Sequence, residues 1–215
     1  MIYLSKLDLN RRSSQIRSEL ADPYQMHRTL SKAFGDCPDE FKQARLLFRV
    51  DESMDGSRVW VLAQSRLKPA WDRLTIGAAY LAGQAQVKEW EPEFSPGQHL
   101  QFRLRANPTF KRAGKRQAWE GEQDQVAWLK RKGEAGGFRL AEVQVTAGFR
   151  LPKVEVNSER WTKSVTSGGL YAELAAVRFD GVLEVDNSAL LVATIESGIG
   201  SAKGFGFGLL SIARA

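Results

Sequence analysis

The sequence predicts an α+β protein made of two tandem ferredoxin-like domains, each with an antiparallel sheet and helices on one of its faces. The first half of the chain follows the order strand, helix, strand, strand, helix, strand, which is the element order of that fold. The second half repeats the theme less regularly. Between them, the stretch EPEFSPGQ at 91–98 contains two prolines and a glycine, as linkers often do. We therefore expect one domain over residues 1–90, a linker over 91–98 and a second domain over 99–215.

Four apolar runs predict the strands of the first domain. They lie at 2–9, 44–50, 58–64 and 85–90. A helix is predicted at about 22–35, because Asp22 is a favourable N-cap and Pro23 suits the first helical position. Gln25 stands three residues after Asp22, where it could complete a capping box. A second, shorter helix is expected at about 71–80.

Strict alternation over 99–106 predicts a half-buried strand at the start of the second domain. Its buried face would carry Leu100, Phe102, Leu104 and Ala106. Its open face would be basic, with Arg103 and Arg105, and His99 is explained there as a surface residue. The elements expected after it are a helix at 122–132, a strand at 137–145, a hairpin at 177–185 with its turn at Asp180-Gly181, and a helix at 187–198 capped by Asn187.

The composition is that of an ordinary globular protein, with 43% hydrophobic and 26% charged residues among 215. The single Cys37 rules out an internal disulfide, and two histidines are too few for a histidine-based metal cluster. We therefore do not expect catalysis by a metal ion, unless carboxylates converge in the fold. No apolar run approaches the ~18–20 residues of a membrane span, and the N-terminus lacks the pattern of a signal peptide. These features predict a cytoplasmic protein without membrane contact.

The densest positive stretch lies between Phe102 and Trp119, where six basic residues occur and no acidic one. The net charge of +6 is compatible with a polyanionic partner, although it does not establish one. Four of the six cations follow the predicted strand in what we expect to be a flexible loop: Lys111, Arg112, Lys115 and Arg116. The alternative is a solvated loop that only aids solubility. Arg160 and Lys163 are weaker binding candidates.

The segment GIGSAKGFGFGLLS at 198–211 contains five glycines within residues 198–208. It matches neither a Walker motif nor the dinucleotide-binding fingerprint. Glycines spaced in this way could let successive backbone amides face a phosphate, and Gly198, Gly200 and Lys203 are the candidates for such contacts. The alternative is a tight turn with close backbone packing.

One edge of the predicted helix 22–35 carries side chains that can handle protons. On a helical wheel, Met26, Leu30, Ala33 and Phe34 form the buried stripe. Tyr24, His27 and Ser31 fall together beside that stripe, next to Arg28, whereas Lys32 projects from the polar side. A histidine can give or take a proton near neutral pH. The alternative for His27 is a histidine that merely packs at the edge of a helix on a sheet.

Four segments, in the same order, resemble the CasE-type endoribonucleases of type I-E CRISPR systems. They are PYQMHRTLSKAF near the N-terminus, FRLRANP at 102–108, QVAWLKRK at 125–132 and GIGSAKGFGFGLLS at 198–211. The resemblance implies two tandem ferredoxin-like (RRM-like) folds. It also implies cleavage of CRISPR precursor RNA at each repeat hairpin without metal or cofactor, followed by retention of the mature guide RNA together with the other Cascade subunits. Tyr24 and His27 correspond to the tyrosine and histidine of the family's first helix.

The expected chemistry is attack of the RNA 2′-hydroxyl on the adjacent phosphate, which leaves a 2′,3′-cyclic phosphate or its opened form and a 5′-hydroxyl. His27 would be the general acid or base, typically with a ~10²–10⁴-fold effect. Tyr24 could orient the nucleophile or hydrogen-bond the phosphate. Lys32 could neutralise charge on phosphorus only if the helix ends or bends there, because on the wheel it points away from His27. The cations named above, with Arg28, would bind RNA.

Two alternatives stay open at this point. The first is an RNA-hairpin-binding protein without catalysis, in which His27 has no role. The second is a tRNA- or ribosome-associated protein with a ferredoxin-like RNA surface. Both keep the fold and the basic stretch, and they differ from the enzyme in what happens to bound RNA.

Overall fold

The computed structural model describes residues 1–74, 79–141, 154–165 and 171–215; the side chains of Lys115, 154–165 and 171–173 are outside this description. The chain forms two compact units. Unit 1 consists of Met1–Glu91, Thr162–Glu173 and Lys203–Leu209, and unit 2 consists of Pro92–Trp161, Leu174–Ala202 and Leu210–Ala215. Lys203–Leu209, which the sequence assigned to the second domain, is therefore part of unit 1.

Unit 1 is built on four strands, β1 (Ile2–Asp8), β2 (Leu47–Glu52), β3 (Val59–Ser65) and β4 (Gln86–Trp90). They form an antiparallel sheet in the order β2-β3-β1-β4. The helices are α1 (Ser14–Ala21), α2 (Pro23–Ser31) and α3 (Pro38–Ala44), with 3-10 helices at Lys32–Phe34 and Trp71–Leu74. The first and third strands are central, so the crossover is split as in a ferredoxin-like fold.

The core of unit 1 forms where the helices pack on the sheet. Leu7 of β1, Met26 and Leu30 of α2, and Phe48 of β2 are fully buried and belong to one cluster of apolar side chains. Burial of this apolar surface is the main force that holds α2 on the sheet. The stripe predicted for the helix is therefore confirmed, and it fixes which edge of α2 faces outward.

Several predictions for unit 1 need correction. Helices α1 and α3 were not expected, and the predicted helix 22–35 is α2 followed by a 3-10 turn. The capping box at Asp22 is wrong, because the Asp22 amide donates to the Ser18 carbonyl (3.1 Å) and the Gln25 side chain accepts from Arg28. Of the helix expected at 71–80, the structure has a 3-10 turn at Trp71–Leu74, and residues 75–78 lie outside the described residues.

Unit 2 contains all or most of seven described strands and two helices; the end of one strand (162–165) and the start of the next (171–173) belong to unit 1. From the N-terminal side the elements are β5 (His99–Ala106), β6 (Thr109–Arg112), β7 (Lys115–Ala118), α4 (Glu122–Ala135), β8 (Phe138–Leu140), β9 (Val154–Val165), β10 (Tyr171–Val185), α5 (Ser188–Ser197) and β11 (Leu210–Arg214). Its main sheet is antiparallel, in the order β11-β5-β10-β8, with β9 paired to β10. The predicted alternation of β5 is confirmed, since its four apolar side chains are buried. Asn187 caps α5 as predicted, accepting from the Leu190 amide at 3.0 Å.

Two turns were predicted wrongly in unit 2. No hairpin interrupts 177–185, because β10 runs straight through and Gly181 pairs with Phe102 of β5. Conversely, the expected basic loop is a hairpin of β6 and β7. Its two-residue turn has positive φ at both Ala113 (48°) and Gly114 (75°), the geometry of a type I′ turn. The strand predicted at 137–145 is β8, and residues 142–145 lie outside the described residues.

In the described part of the chain, no helix is long and apolar enough to cross a membrane. Among the same residues, no group of three or more His, Cys, Asp or Glu side chains is placed to hold a metal ion. Cys37 is exposed and forms no disulfide.

Candidate active site and basic surface

The candidate active site is built on α2, and local sequence fixes where that helix begins. The Asp22 side chain accepts a hydrogen bond from the Tyr24 amide (3.1 Å), and Pro23 occupies the first turn. This cap satisfies an amide that the helix cannot pair. Tyr24 is thereby held in the first turn, one turn before His27.

His27 is half-buried and lies against aromatic rings. Its ring centroid is 6.1 Å from that of Phe48 on β2 and 6.5 Å from that of Tyr24. Burial lowers the pKa of His27, because the charged imidazolium loses hydration there. At neutral pH the ring is therefore neutral and can accept a proton.

Gly204 and Phe205 of the glycine-rich segment lie against His27 and Tyr24. A Cβ added at Gly204 would lie 3.8 Å from His27 Cγ and Cδ2, so the backbone approaches the imidazole closely. The next residue, Phe205, stacks on Tyr24 with centroids 5.5 Å apart. The structure thus supports the close-packing explanation for this part of the segment. Sequence reasoning missed Phe205, and a period-2 or helical pattern could not have revealed it.

The remaining predicted residues of α2 are placed around this pair. Ser31 Oγ donates to the His27 carbonyl (2.8 Å), which ties it to the helix backbone. Arg28 is exposed, with Nη1 3.2 Å from Gln25 Oε1. The helix ends at Ser31, and Lys32 is exposed in the 3-10 turn that follows. The backbone keeps helical dihedral angles at Lys32 (φ −60°, ψ −21°), so only the type of helix changes there, and the role of Lys32 stays a prediction.

A buried carboxyl group, missed by sequence reasoning, fixes the other side of α2. Glu19 of α1 is 4% exposed and accepts from Tyr80 Oη (2.5 Å), Thr29 Oγ1 (2.6 Å) and Gln15 Nε2 (2.8 Å). Burial raises the pKa of Tyr80, and the hydrogen bond to Glu19 raises it further, so the phenol stays a donor. Because Thr29 belongs to α2, this network positions the helix that carries His27.

The predicted basic residues of unit 2 differ in how available they are. Lys111, Arg112 and Arg116 are exposed together on the β6–β7 hairpin. Arg103 is paired with Asp180 (2.5 Å), which also pairs with Arg178, so part of the charge on that sheet face is neutralised. Arg105 is half-buried on the same strand. The side chains of three candidates lie outside the described residues: Lys115, Arg160 and Lys163.

The glycines and lysine predicted to hold phosphate have local explanations. Gly198 ends α5 with φ of 72°, and its amide donates to the Thr194 carbonyl (2.8 Å). A Cβ at Gly200 would meet the Trp128 ring at 3.2 Å, and its φ of 84° also favours glycine. Lys203 is half-buried at the start of the 3-10 helix Lys203–Phe205. These observations fit tight turns and close packing.

Comparison with known proteins gives a consistent picture. The family model described as "CRISPR associated protein" matches residues 2–214. The chain is 40% identical over 219 residues to the CRISPR-associated endoribonuclease Cse3 of Thermus thermophilus, covering 99% of this chain and 100% of that relative. It is 31% identical over 226 residues to the CRISPR system Cascade subunit CasE of Escherichia coli, covering 99% of both.

A solved structure shows the same similarity in three dimensions. The chain matches the CRISPR endoribonuclease Cse3 bound to a 19-nucleotide RNA with a TM-score of 0.86 and 38% identity, covering 99% of this chain and 100% of that chain. The similarity therefore spans both units, including α2 and the glycine-rich segment.

Proposed function

This chain belongs to the CRISPR associated protein family as a CasE-type member, and on that premise we propose that it is a metal-independent endoribonuclease that cuts CRISPR precursor RNA at its repeat hairpins. The observation that carries the proposal is the setting of His27. Its imidazole is held between Phe48 and the backbone at Gly204, and burial lowers its pKa. A neutral imidazole next to Tyr24 is suited to proton transfer in a reaction that needs no metal.

The proposed reaction uses the RNA's own 2′-hydroxyl as nucleophile. His27 accepts the proton of that hydroxyl while the oxygen attacks the adjacent phosphorus. The bond from phosphorus to the 5′-oxygen breaks, and that oxygen takes a proton from solvent water and leaves as a 5′-hydroxyl, so the other product is a 2′,3′-cyclic phosphate. His27 returns its proton to solvent and becomes neutral again. Tyr24 orients the reacting groups by hydrogen bonding. Lys32, exposed at the end of α2, stabilises the negative charge that develops on the phosphate oxygens.

RNA binding is proposed to depend mainly on the β6–β7 hairpin. The exposed cations Lys111, Arg112 and Arg116 stand on one short two-stranded hairpin. Helical RNA hides its bases in a deep, narrow groove, so phosphates and shape are what such cations contact. Counterion release then makes the affinity fall with salt. We further propose that the cleaved hairpin stays bound and that the protein enters Cascade with it, which limits the enzyme to about one round of cleavage.

The test is cleavage of a labelled repeat RNA from the same genome, in excess EDTA and in magnesium, with both new ends mapped. We expect equal rates in the two buffers, a cut at one position of the hairpin, a cyclic or opened 3′-phosphate and a 5′-hydroxyl. If EDTA abolishes cleavage and magnesium restores it, the proposed mechanism is wrong. If the RNA is bound and never cut, the chain is an RNA-hairpin-binding protein instead.

A further inference from the structure

A cavity of about 420 Å³ lies in unit 2, apart from the residues assigned to catalysis. Its lining comes from the end of β5, the β6–β7 hairpin, α4 and the start of the glycine-rich segment, and it includes Asn107, Lys111, Arg116, Trp128, Lys132 and Ser201. This volume falls in the range of small-molecule binding sites. Nothing in the proposed cleavage reaction uses it.

Two buried polar atoms of the lining lack a partner among the described residues. They are Asn107 Oδ1 and Ser201 Oγ. Asn107 is 4% exposed, so solvent reaches its acceptor poorly. A buried acceptor without a donor is unfavourable, and native structures keep few of them unless something else supplies the donor. Trp119 Nε1 and Gln125 Oε1 are also unpartnered, but neither residue lines this cavity.

The rest of the lining supplies positive charge beside a buried tryptophan. Lys111 and Arg116 of the hairpin and Lys132 of α4 are exposed side chains of the lining. The Trp128 indole lies against the backbone at Gly200, where a Cβ would be only 3.2 Å from the ring. The ring itself is only 5% exposed and also stacks on Phe179, so it packs in the interior beside the cavity. Exposed cations and a buried acceptor together match a nucleotide, which combines a phosphate with hydrogen-bond donors.

We propose that this cavity binds one unpaired nucleotide of the RNA, next to the hairpin that is cut. The phosphate contacts Lys111, Arg116 and Lys132, and an O–H or N–H group donates to Asn107 Oδ1. The phosphodiester group alone does not satisfy the site, because all of its oxygens are acceptors and none can donate to Asn107 Oδ1. The donor is either a ribose 2′-hydroxyl or an N–H of the base, and RNAs that lack one or the other distinguish them. This inference rests on the proposed function and adds a specificity site to it.

The test measures affinity for a labelled repeat hairpin that keeps its unpaired nucleotides on both sides. Asn107→Leu is compared with wild type on the natural RNA and on RNAs with a single 2′-deoxy or abasic nucleotide at each unpaired position. We expect the Kd of Asn107→Leu to rise about 5- to 20-fold on natural RNA. At the position of the nucleotide that enters the cavity, the modified RNA lacks the donor to Asn107, so wild type and Asn107→Leu should bind that RNA with equal affinity. Equality on the 2′-deoxy RNA identifies the ribose donor, and equality on the abasic RNA identifies the base.

The melting temperature separates a ligand-binding role from a structural one. Because Asn107 Oδ1 has no partner among the described residues, replacing it should leave the melting temperature unchanged or raise it. A fall of several degrees, with equal loss of affinity for every RNA in the panel, would mean that Asn107 is structural and would overturn the proposal. An unchanged Kd would overturn it too. If Asn107→Leu does not fold, the affinity of Ser201→Ala for the same RNAs is compared with that of wild type instead.

Charge is tested with a matched pair on one helix. Lys132 lines the cavity and Lys130 does not, although both are exposed on α4. Lys132→Ala should weaken binding and reduce its salt dependence, whereas Lys130→Ala should change both much less. If the two variants lose affinity and salt dependence equally, the lysines contribute only through the general positive charge of the protein, and the proposed nucleotide site is overturned. All of these tests measure affinity and do not require cleavage. If the wild-type protein binds the RNA without cutting it, the proposed cleavage is refuted, and the affinities still decide whether the cavity binds a nucleotide.

Discussion

The ring of Phe205 stacks on the ring of Tyr24, with centroids 5.5 Å and planes 29° apart. The two residues lie near opposite ends of the chain, yet both belong to unit 1. The glycine-rich segment is therefore a structural part of the candidate active site, where it covers the outward edge of α2.

Replacing His27 with alanine should lower the rate of RNA cleavage by about 10²- to 10⁴-fold, because the proton-transfer group is lost. The Kd for the hairpin should change little, since binding depends on other residues. Single-turnover cleavage and gel-shift titration measure the two effects. His99→Ala is the matched control, because His99 is the other histidine and is exposed on β5. Comparable loss of cleavage and affinity in His27→Ala would contradict a catalytic role.

The stability of the folded protein should depend on pH through His27. Burial lowers its pKa below the ordinary value of 6.5, so the unfolded chain binds the proton more tightly than the folded one. Stability is therefore complete above about pH 6.5 and is lost as the pH falls from there towards the lower folded pKa. Urea unfolding of wild type and His27→Gln between pH 8 and 5 checks this. Parallel pH profiles for the two proteins would show that the imidazole does not titrate abnormally.

The stacking of Phe205 on Tyr24 should matter for cleavage more than for RNA affinity. An aromatic pair contributes about 0.5–1.5 kcal/mol beyond its buried area, so Phe205→Leu should slow cleavage by about 2- to 10-fold if the stack positions Tyr24. A double-mutant cycle with Tyr24→Leu isolates the interaction between the two rings. If the changes in activation free energy of the two single variants add up to that of the double variant, the two rings act independently.

Removing the buried carboxyl of Glu19 should destabilise the protein strongly. In Glu19→Ala the hydroxyls of Tyr80 and Thr29 lose their shared acceptor in the interior, at a cost of about 3 kcal/mol in the free energy of unfolding. Denaturant titration measures this value. The control is Glu52→Ala, because Glu52 pairs with Arg11 at the surface and such pairs contribute under about 1 kcal/mol. A similar small loss in both variants would show that the buried network does not stabilise α2.

The basic hairpin should control the salt dependence of RNA binding. Arg112→Gln removes one exposed charge, so the slope of log K against log salt should decrease by about 1. Lys88→Gln removes a similarly exposed charge from β4 and is the control. Titrations at several salt concentrations determine both slopes. An equal decrease for the two variants would mean that the hairpin makes no special contact with RNA.

The parts of the fold that could be predicted are those with a local physical cause. The alternation along β5 and the Asn187 cap of α5 both depend on residues next to one another in sequence. The same is true of the cap at Asp22 and of the edge of α2 that carries Tyr24 and His27. For these features, short-range periodicity and capping chemistry were sufficient.

The features that escaped prediction depend on partners distant in sequence. Asp180 and Gly181 have the composition of a turn, but pairing with Arg103 and Phe102 of β5 holds them in an extended strand. Glu19 has no sequence signal of its own, because its partner Tyr80 lies 61 residues away. In the same way, nothing near Phe205 indicates that it would stack on Tyr24. Tertiary pairing overrides local preference in such cases.

The register of the β6–β7 hairpin sets two cations against each other. Lys111 lies directly opposite Arg116, and like charges at that position repel. Salt therefore has opposite effects on the stability of the hairpin and on its affinity for RNA. It screens the repulsion between the two cations and so stabilises the free hairpin, and it weakens the binding of a polyanion. In free protein, hydrogen exchange of the hairpin amides should slow under the same conditions in which RNA dissociates.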